Sequence, residues 1–499
     1  MRSKIKTILP VIFLMVAGLF IQSCTKELDV ENLNDPDRER ALKNPEDVRS
    51  LALSGFYNWF MTNNSSISPR MAMWVMADQG TCSWANSGMY HLSSEPRMPF
   101  NNSVTYTYAH TFENYYEELY GNLFIMNSVL DVLDNGMQII STTGQDETQM
   151  VRAISYLIQG LSLGYIGLVY DKAFIVKEPE GYENIPPSPY KDVIEAAIVS
   201  LDSVIAICNR PSVSFELPEN YINGSTYDNQ EIKELASSFA ARFLIYAPRN
   251  KAENAQTDWN RVLAYANGGI TRDLAPYMDG AAWRSWFRHY TVRPGWARID
   301  CRIIHLIDPD YPWRYPDDGH NPDPAYPYDN RLNTDFNRNT ANNMKPERGY
   351  YHYGDYEYVR YPLSITTSTG PSPDFLVTEN DLIRAEALVE LGDITAAVQI
   401  INAGTRVTRG GLDPLNENIS KDEVLEAIFY ERDIELIQTG FGIAFFDMRR
   451  RDMLQYGTLL HFPIPGKELM TLQMPYYTFG GVENADGINT SDGGWFPED

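Results

Sequence analysis

Cysteine is scarce: Cys24, Cys82, Cys208 and Cys301 are the only 4 in 499 residues, and they stand far apart. That spacing excludes a zinc ribbon and a small disulfide-stapled fold, and a chain of this length buries a core without staples. Apart from Cys24 the thiols read as buried, with one pairing among the three left open. Histidine, at 7, offers no HExxH or other paired zinc spacing, which removes the commonest metallohydrolase pattern. Basic residues are in deficit, 41 against 66 acidic, for a net charge of −25. Nucleic acid and anionic membrane surfaces are therefore excluded as natural partners. Long apolar runs are also missing beyond residue 21. The uncharged stretch 153–169 holds Ser155, Gln159, Ser162 and three glycines, so it reads as a buried helix and not a bilayer span. No Ser/Gly-rich linker breaks the chain, so residues 24–499 are expected to form a single domain.

The first residues carry an address. Arg2, Lys4 and Lys6 precede an apolar run from Ile8 to Ile21 that ends at Gln22, Ser23 and Cys24. A basic segment, a short hydrophobic segment and a small residue describe a secretory signal at 1–23. Cys24 resembles the acylated cysteine of a lipoprotein, although Ile21 replaces the usual leucine three positions earlier. Removing residues 1–23, which hold three basic side chains and no acid, takes the charge from −25 to −28.

Helical periodicity dominates the rest of the chain. Helices are expected over 45–60, 112–133, 150–170, 232–246 and 259–266, with a further one opened by Ser188 as N-cap and Pro189 as first residue. Leu382 to Leu391, a turn at Gly392 and Asp393, and Ile394 to Ala403 form a helical hairpin that resembles a tetratricopeptide unit. The fold is therefore expected to be mainly α: a tetratricopeptide-like scaffold of helical hairpins with long loop-rich excursions. Ser420 and Glu423 make a capping box for a helix carrying Leu425, Ile428, Phe429, Arg432 and Leu436 at helical steps, stopped by Gly440 and Gly442. Glu435 lies three residues after Arg432, close enough to pair with it, and both read as structural. Gly160-Leu161-Ser162-Leu163-Gly164 has the letters of a nucleophile elbow, but it sits inside a helical stripe where the strand, sharp turn and helix of an elbow have no place.

Glu431-Arg432-Asp433-Ile434-Glu435-Leu436, followed by Phe446-Asp447-Met448-Arg449-Arg450, resembles the late motif of the SusD/RagB family. Ala444 departs from it where an arginine is usual. Arg384-Ala385-Glu386-Ala387-Leu388, Asn402, Arg406, Arg409-Gly410-Gly411-Leu412 and Phe462-Pro463-Ile464-Pro465 with Glu468-Leu469 extend the resemblance. It implies a nutrient-binding lipoprotein, anchored in the outer membrane through Cys24 and facing the cell exterior. A SusC-like TonB-dependent transporter is the implied partner. Thr25-Lys26-Glu27 is similar to the tag that sends such lipoproteins to the surface.

Two stretches do not read as scaffold. Residues 271–375 hold four of nine tryptophans, twelve of 32 tyrosines and twelve of 30 prolines, a proline density that points to loop with short edge strands. Residues 62–103 set Trp74, Trp84, Tyr90 and Arg97 among asparagines and serines. Aromatic faces cover the apolar faces of sugar rings while Asn and Arg side chains bond hydroxyls, and loops on a rigid scaffold commonly carry such function. Trp84, Trp283, Trp286 and Trp313 are the expected stacking surfaces, with Asn86 and Arg97 as hydroxyl partners. The reading is oligosaccharide binding without catalysis. Peptide or other nutrient binding is the alternative in the same architecture, and a surface glycosidase is the alternative of another class, for which no carboxylate pair stands out. No cofactor is expected. Asp308, Asp310, Asp317 and Asp318 are the one set that can gather a calcium ion, without EF-hand spacing.

Overall fold

The computed structural model describes residues 40–82, 84–176, 185–293, 295–341, 344–363, 366–416, 418–484 and 490–495. The leader at 1–23 and Cys24 lie outside them. The scaffold is a run of packed helices: α1 (Pro45–Asn64), α2 (Ala109–Asp134), α3 (Thr148–Val169), α4 (Tyr190–Cys208), α5 (Asn229–Tyr246), α6 (Trp259–Asn267), α7 (Val377–Glu390), α8 (Ile394–Ala403), α9 (Lys421–Glu435) and α10 (Ile443–Arg450). Each packs on its neighbours in turn: α3 lies against α1, α2 and α4, α5 against α4 and α6, and α7 joins α6 to the α8 and α9 pair. The mainly α, hairpin-built architecture expected from periodicity is the one observed.

Local chemistry explains most of the boundaries. Asn44 caps α1 by accepting from the Glu46 amide, with Pro45 as first residue. Asp228 and Glu231 form a capping box on α5, and Ser420 with Glu423 forms the expected one on α9. The Ser188 cap is not made. Ser188 and Pro189 pair with Ala173 and Lys172 in a two-residue antiparallel ladder, and α4 starts at Tyr190 with no side-chain cap. Ser162 lies fully buried within α3. The flanking glycine explains the elbow-like letters: a Cβ on Gly164 would stand 2.1 Å from the Phe243 ring, so the small residue lets α5 close on α3. Gly442, in the left-handed region at φ +69°, turns the chain from α9 into α10.

The excursions are more structured than their proline content suggests. The second contains the short helices Trp286–Val292, Cys301–Ile307 and Arg331–Asp335. Two short antiparallel ladders join Tyr277–Asp279 to Thr369–Pro371 and Phe336–Arg338 to Tyr356–Tyr358. The first contains Arg70–Met76, buried along its whole length. Prolines cluster between these pieces, so the density averaged over the stretch hid them. Trp74, Phe287, Ile303, Tyr311 and Tyr356 gather into a second buried cluster that reaches Ile434 and Ile437 at the end of α9. Cys82, Cys208 and Cys301 are free and buried. No helix among the described residues is long and apolar enough to cross a membrane.

Buried charge stitches α9 and α10 to the scaffold. Arg432 does not pair with Glu435. It binds Glu386 of α7 and, at 3.2 Å, Asp447 of α10. Arg450 reaches the same two carboxylates at 2.7 Å each, and Arg451 adds Asp447 at 2.7 Å. Glu435 instead receives Arg331 at 3.1 Å and Arg360 and Arg409 at 2.7 Å. An i, i+3 spacing only permits contact, and carboxylates and guanidinia brought in by other elements took both partners. Burial pushes the Asp447 carboxyl up, but Arg451, Arg450 and Arg432 outweigh it and hold it well below the usual carboxylate range. Glu386 is lowered in the same contest, burial against Arg432 and Arg450.

Candidate ligand-binding site

One aromatic group joins the two excursions at the surface. Trp84 is 57% exposed. It is presented by a tight loop in which Ala85 (φ 63°), Ser87 (φ 54°) and Gly88 (φ 78°) all adopt the left-handed region. Two non-glycine residues there make a strained turn, a feature that concentrates at functional sites. The Ser87 hydroxyl donates to the Ser66 carbonyl and the Met89 amide to the Asn86 carbonyl, which holds the loop down.

The other rings come from the helix Trp286–Val292 and the turn after it. Ser285 caps that helix, accepting from the Arg288 amide and donating to Asn64 at the end of α1 at 2.6 Å, so its first turn is tied to the scaffold. Trp286 and His289 fall one turn apart and stack, centroids 5.6 Å apart at 25°. Trp296 folds back over them, 6.4 Å from Trp286 and 6.3 Å from His289. It also meets Trp84 at 5.4 Å and 54°. The Arg293 guanidinium sits over the Trp296 ring at 5.1 Å. Burial and the Arg293 charge lower the His289 pKa, so the ring is neutral at pH 7. Arg293 Nε donates to His289 Nε2 at 2.7 Å, which places the imidazole proton on Nδ1, where it donates to Ser368 Oγ at 3.2 Å. The imidazole is thus fixed in one orientation by hydrogen bonds on both ring nitrogens. Asn86 Oδ1 and Trp286 Nε1 are buried without a hydrogen-bond partner among the described residues.

Three of the expected contact residues are elsewhere. Trp283 is only 6% exposed and packs on Tyr57 at 5.1 Å and Phe60 at 5.4 Å. It fills the core and has no face for a ligand. Arg97 is 3% exposed, with its donors taken by Asp78 at 3.0 Å, Thr458 at 2.9 Å and the Ser94 carbonyl. Trp313 is half-buried against Trp495, with Arg314 over its ring, and stands outside the Trp84 group. Trp84, Asn86 and Trp286 remain. Trp296 and His289, not named from the sequence, complete the aromatic group; the three-residue step from Trp286 to His289 is the signal that puts those two rings on one helix face. The four aspartates do not converge: Asp308 accepts from the Asp310 and Tyr326 amides. Among the described residues no group of three or more His, Cys, Asp or Glu side chains is placed to hold a metal ion. A concavity of about 1060 Å³ runs along α9, away from the Trp84 group. Stacking needs an open face, and the tryptophan group offers that.

Comparison with known proteins agrees with this architecture. The SusD family model matches residues 296–477. A SusD superfamily protein from Parabacteroides distasonis superposes with a TM-score of 0.60 at 11% identity, covering 86% of this chain and 98% of that one. Another from Bacteroides vulgatus gives 0.57 at 15% identity, over 82% and 88%. A SusD-like carbohydrate binding protein from Bacteroides vulgatus gives 0.55 at 16% identity, over 82% and 83%. No curated protein matches the chain in sequence. The fold thus defines a SusD-like helical protein. Residues 296–477, which match the SusD family model, include the late motif, and the rest of the likeness is one of fold.

Proposed function

We propose that the protein binds oligosaccharide at the cell surface and delivers it to a SusC-like TonB-dependent outer-membrane transporter, without catalysing any change in it. The observation that carries this reading is the exposed Trp84 ring meeting Trp296 at 5.4 Å across the two excursions. The exposed Trp84 face, backed by Trp296 with the Arg293 guanidinium over that ring, presents an apolar surface of the size of a pyranose. The SusD-like carbohydrate binding protein among the structural relatives supports the ligand class. Cys24 supplies the lipid anchor in this reading, and no cofactor is needed for binding by stacking. Titration calorimetry against a panel of neutral oligosaccharides tests it: wild-type protein binds at least one, and Trp84→Ala weakens that binding about tenfold or more. Uptake of peptides with no saccharide bound would move the assignment to the peptide-binding alternative. Hydrolysis of the bound oligosaccharide by pure protein would make it a glycosidase.

A further inference from the structure

The helix α9 carries a second concave surface that shares no lining residue with the tryptophan group. Its outer face walls the groove of about 1060 Å³. A cleft of about 520 Å³ opens beside it, and Leu306, Arg406 and Tyr430 line both. The smaller lies in the range of small-molecule sites and the larger just above it. Three tyrosines mark this place. Tyr328 lines the smaller cleft and is 56% exposed, and Tyr326 beside it is 61% exposed, with ring centroids 4.5 Å apart. Their backbone is fixed: the Tyr326 amide donates to Asp308 at 2.6 Å, and the Tyr328 amide to the Tyr326 carbonyl. Tyr430 is anchored through its hydroxyl to Asp329 at 2.9 Å.

Arg406 is the cation of the junction, set against Asp310 in the cleft and Asp422, Glu423 and Glu426 along the groove. The other arginines near α9 are committed, Arg302 to Asp433 and Arg331 to Asp329 and Glu431. Arg406 has no ion-pair or hydrogen-bond partner for its side chain among the described residues, and its Nε is buried. In a chain with 66 acidic residues, a guanidinium left without a carboxylate at the meeting of two concavities is a place for a carboxylate brought by a ligand. Exposed flat rings beside it suit a ligand with apolar ring faces. We infer that the α9 cleft is a second saccharide site, selective for oligosaccharides that carry a carboxylate, with Arg406 pairing the acid, Tyr328 and Tyr326 covering ring faces and Asp310 accepting from hydroxyls.

Titration calorimetry with a galacturonic acid tetramer and with its fully methyl-esterified form tests this. The charged tetramer binds wild-type protein. Arg406→Gln weakens it about tenfold or more, the size of one charge-assisted contact, and brings it level with the ester, while Arg406→Lys recovers part of the loss. Tyr328→Ala weakens both forms. Trp84→Ala keeps the preference for the charged tetramer over the ester, so this site and the tryptophan site fail independently. Melting curves that match wild type show that each variant is folded. No binding of the charged tetramer, equal binding by wild type and Arg406→Gln, or loss of the charge preference through Trp84→Ala would overturn the proposal. So would an acidic peptide taking the cleft in an Arg406-dependent way while the tetramer does not.

Discussion

The α9–α10 corner and the Trp84–Trp296 surface invert the usual partition of side chains. At the corner, Arg432, Arg450, Glu386 and Asp447 lie buried at 3% exposure or less. At the surface a tryptophan stands more than half exposed. Residue type alone therefore does not locate either region. Charge is tolerated inside where each guanidinium meets several carboxylates and each carboxylate several guanidinia, and apolar rings persist outside where a frame fixes them for use.

The largest way to break this contrast is at the corner. Arg432→Ala leaves Glu386 and Asp447 short of one cation in a dry site and should cost about 3 to 5 kcal/mol, read by thermal or denaturant unfolding. An unchanged melting temperature would mean that water reaches the network. Trp283→Ala comes next, at about 3 kcal/mol for an emptied aromatic site. It should spare saccharide affinity, since the ring packs on α1 and not on the surface. Loss of affinity in a folded Trp283→Ala protein would merge the two regions that the structure separates.

Acid gives a smaller, graded test. The folded pKa values of Asp447 and Glu386 are held below their ordinary ones. The stability they contribute is therefore complete above the unfolded carboxylate pKa of about 4 and is lost as pH falls toward the folded values. Melting temperature should drop below about pH 4, and less steeply in Arg432→Ala, where the lowering is weaker. Equal slopes would place the acid-sensitive carboxylates elsewhere. The smallest effect on stability belongs to Trp84→Ala, within about 0.5 kcal/mol. The same change should remove roughly 1 to 3 kcal/mol of saccharide binding, a stacked ring's share. A destabilised Trp84→Ala protein would mean that the exposed ring braces the excursion.

Local signals explain how much was legible beforehand. The capping box at Ser420 and the helical stripes of α2 to α8 depend on neighbours within a few residues, and they fold as read. Arg432 and Glu435 were rightly placed in structure and wrongly paired, because Glu386, Asp447, Arg331 and Arg360 approach from distant parts of the chain. Trp84, next to polar residues in the sequence, does stand exposed, while Trp286 opens a short helix that proline density hid. Trp283 could not be told from them, since its burial depends on α1, more than two hundred residues earlier. The short helix Cys301–Ile307 has a visible cap in Asp300, which accepts from the Arg302 amide, yet proline counted over a hundred residues outweighed it.

The three buried thiols carry a practical consequence. Burial pushes the Cys82 and Cys208 thiols up to about 12 and holds Cys301 well above the usual thiol range, so at neutral pH none of them supplies the thiolate that alkylating reagents attack. Cys82 and Cys301 belong to the cluster under the excursions, while Cys208 closes α4 in the scaffold core. Timed maleimide labelling of the native protein, resolved by peptide mass, would clock the opening of each layer separately. The chain thus carries its own chemical stopwatch for whether excursion and scaffold come apart together or one after the other.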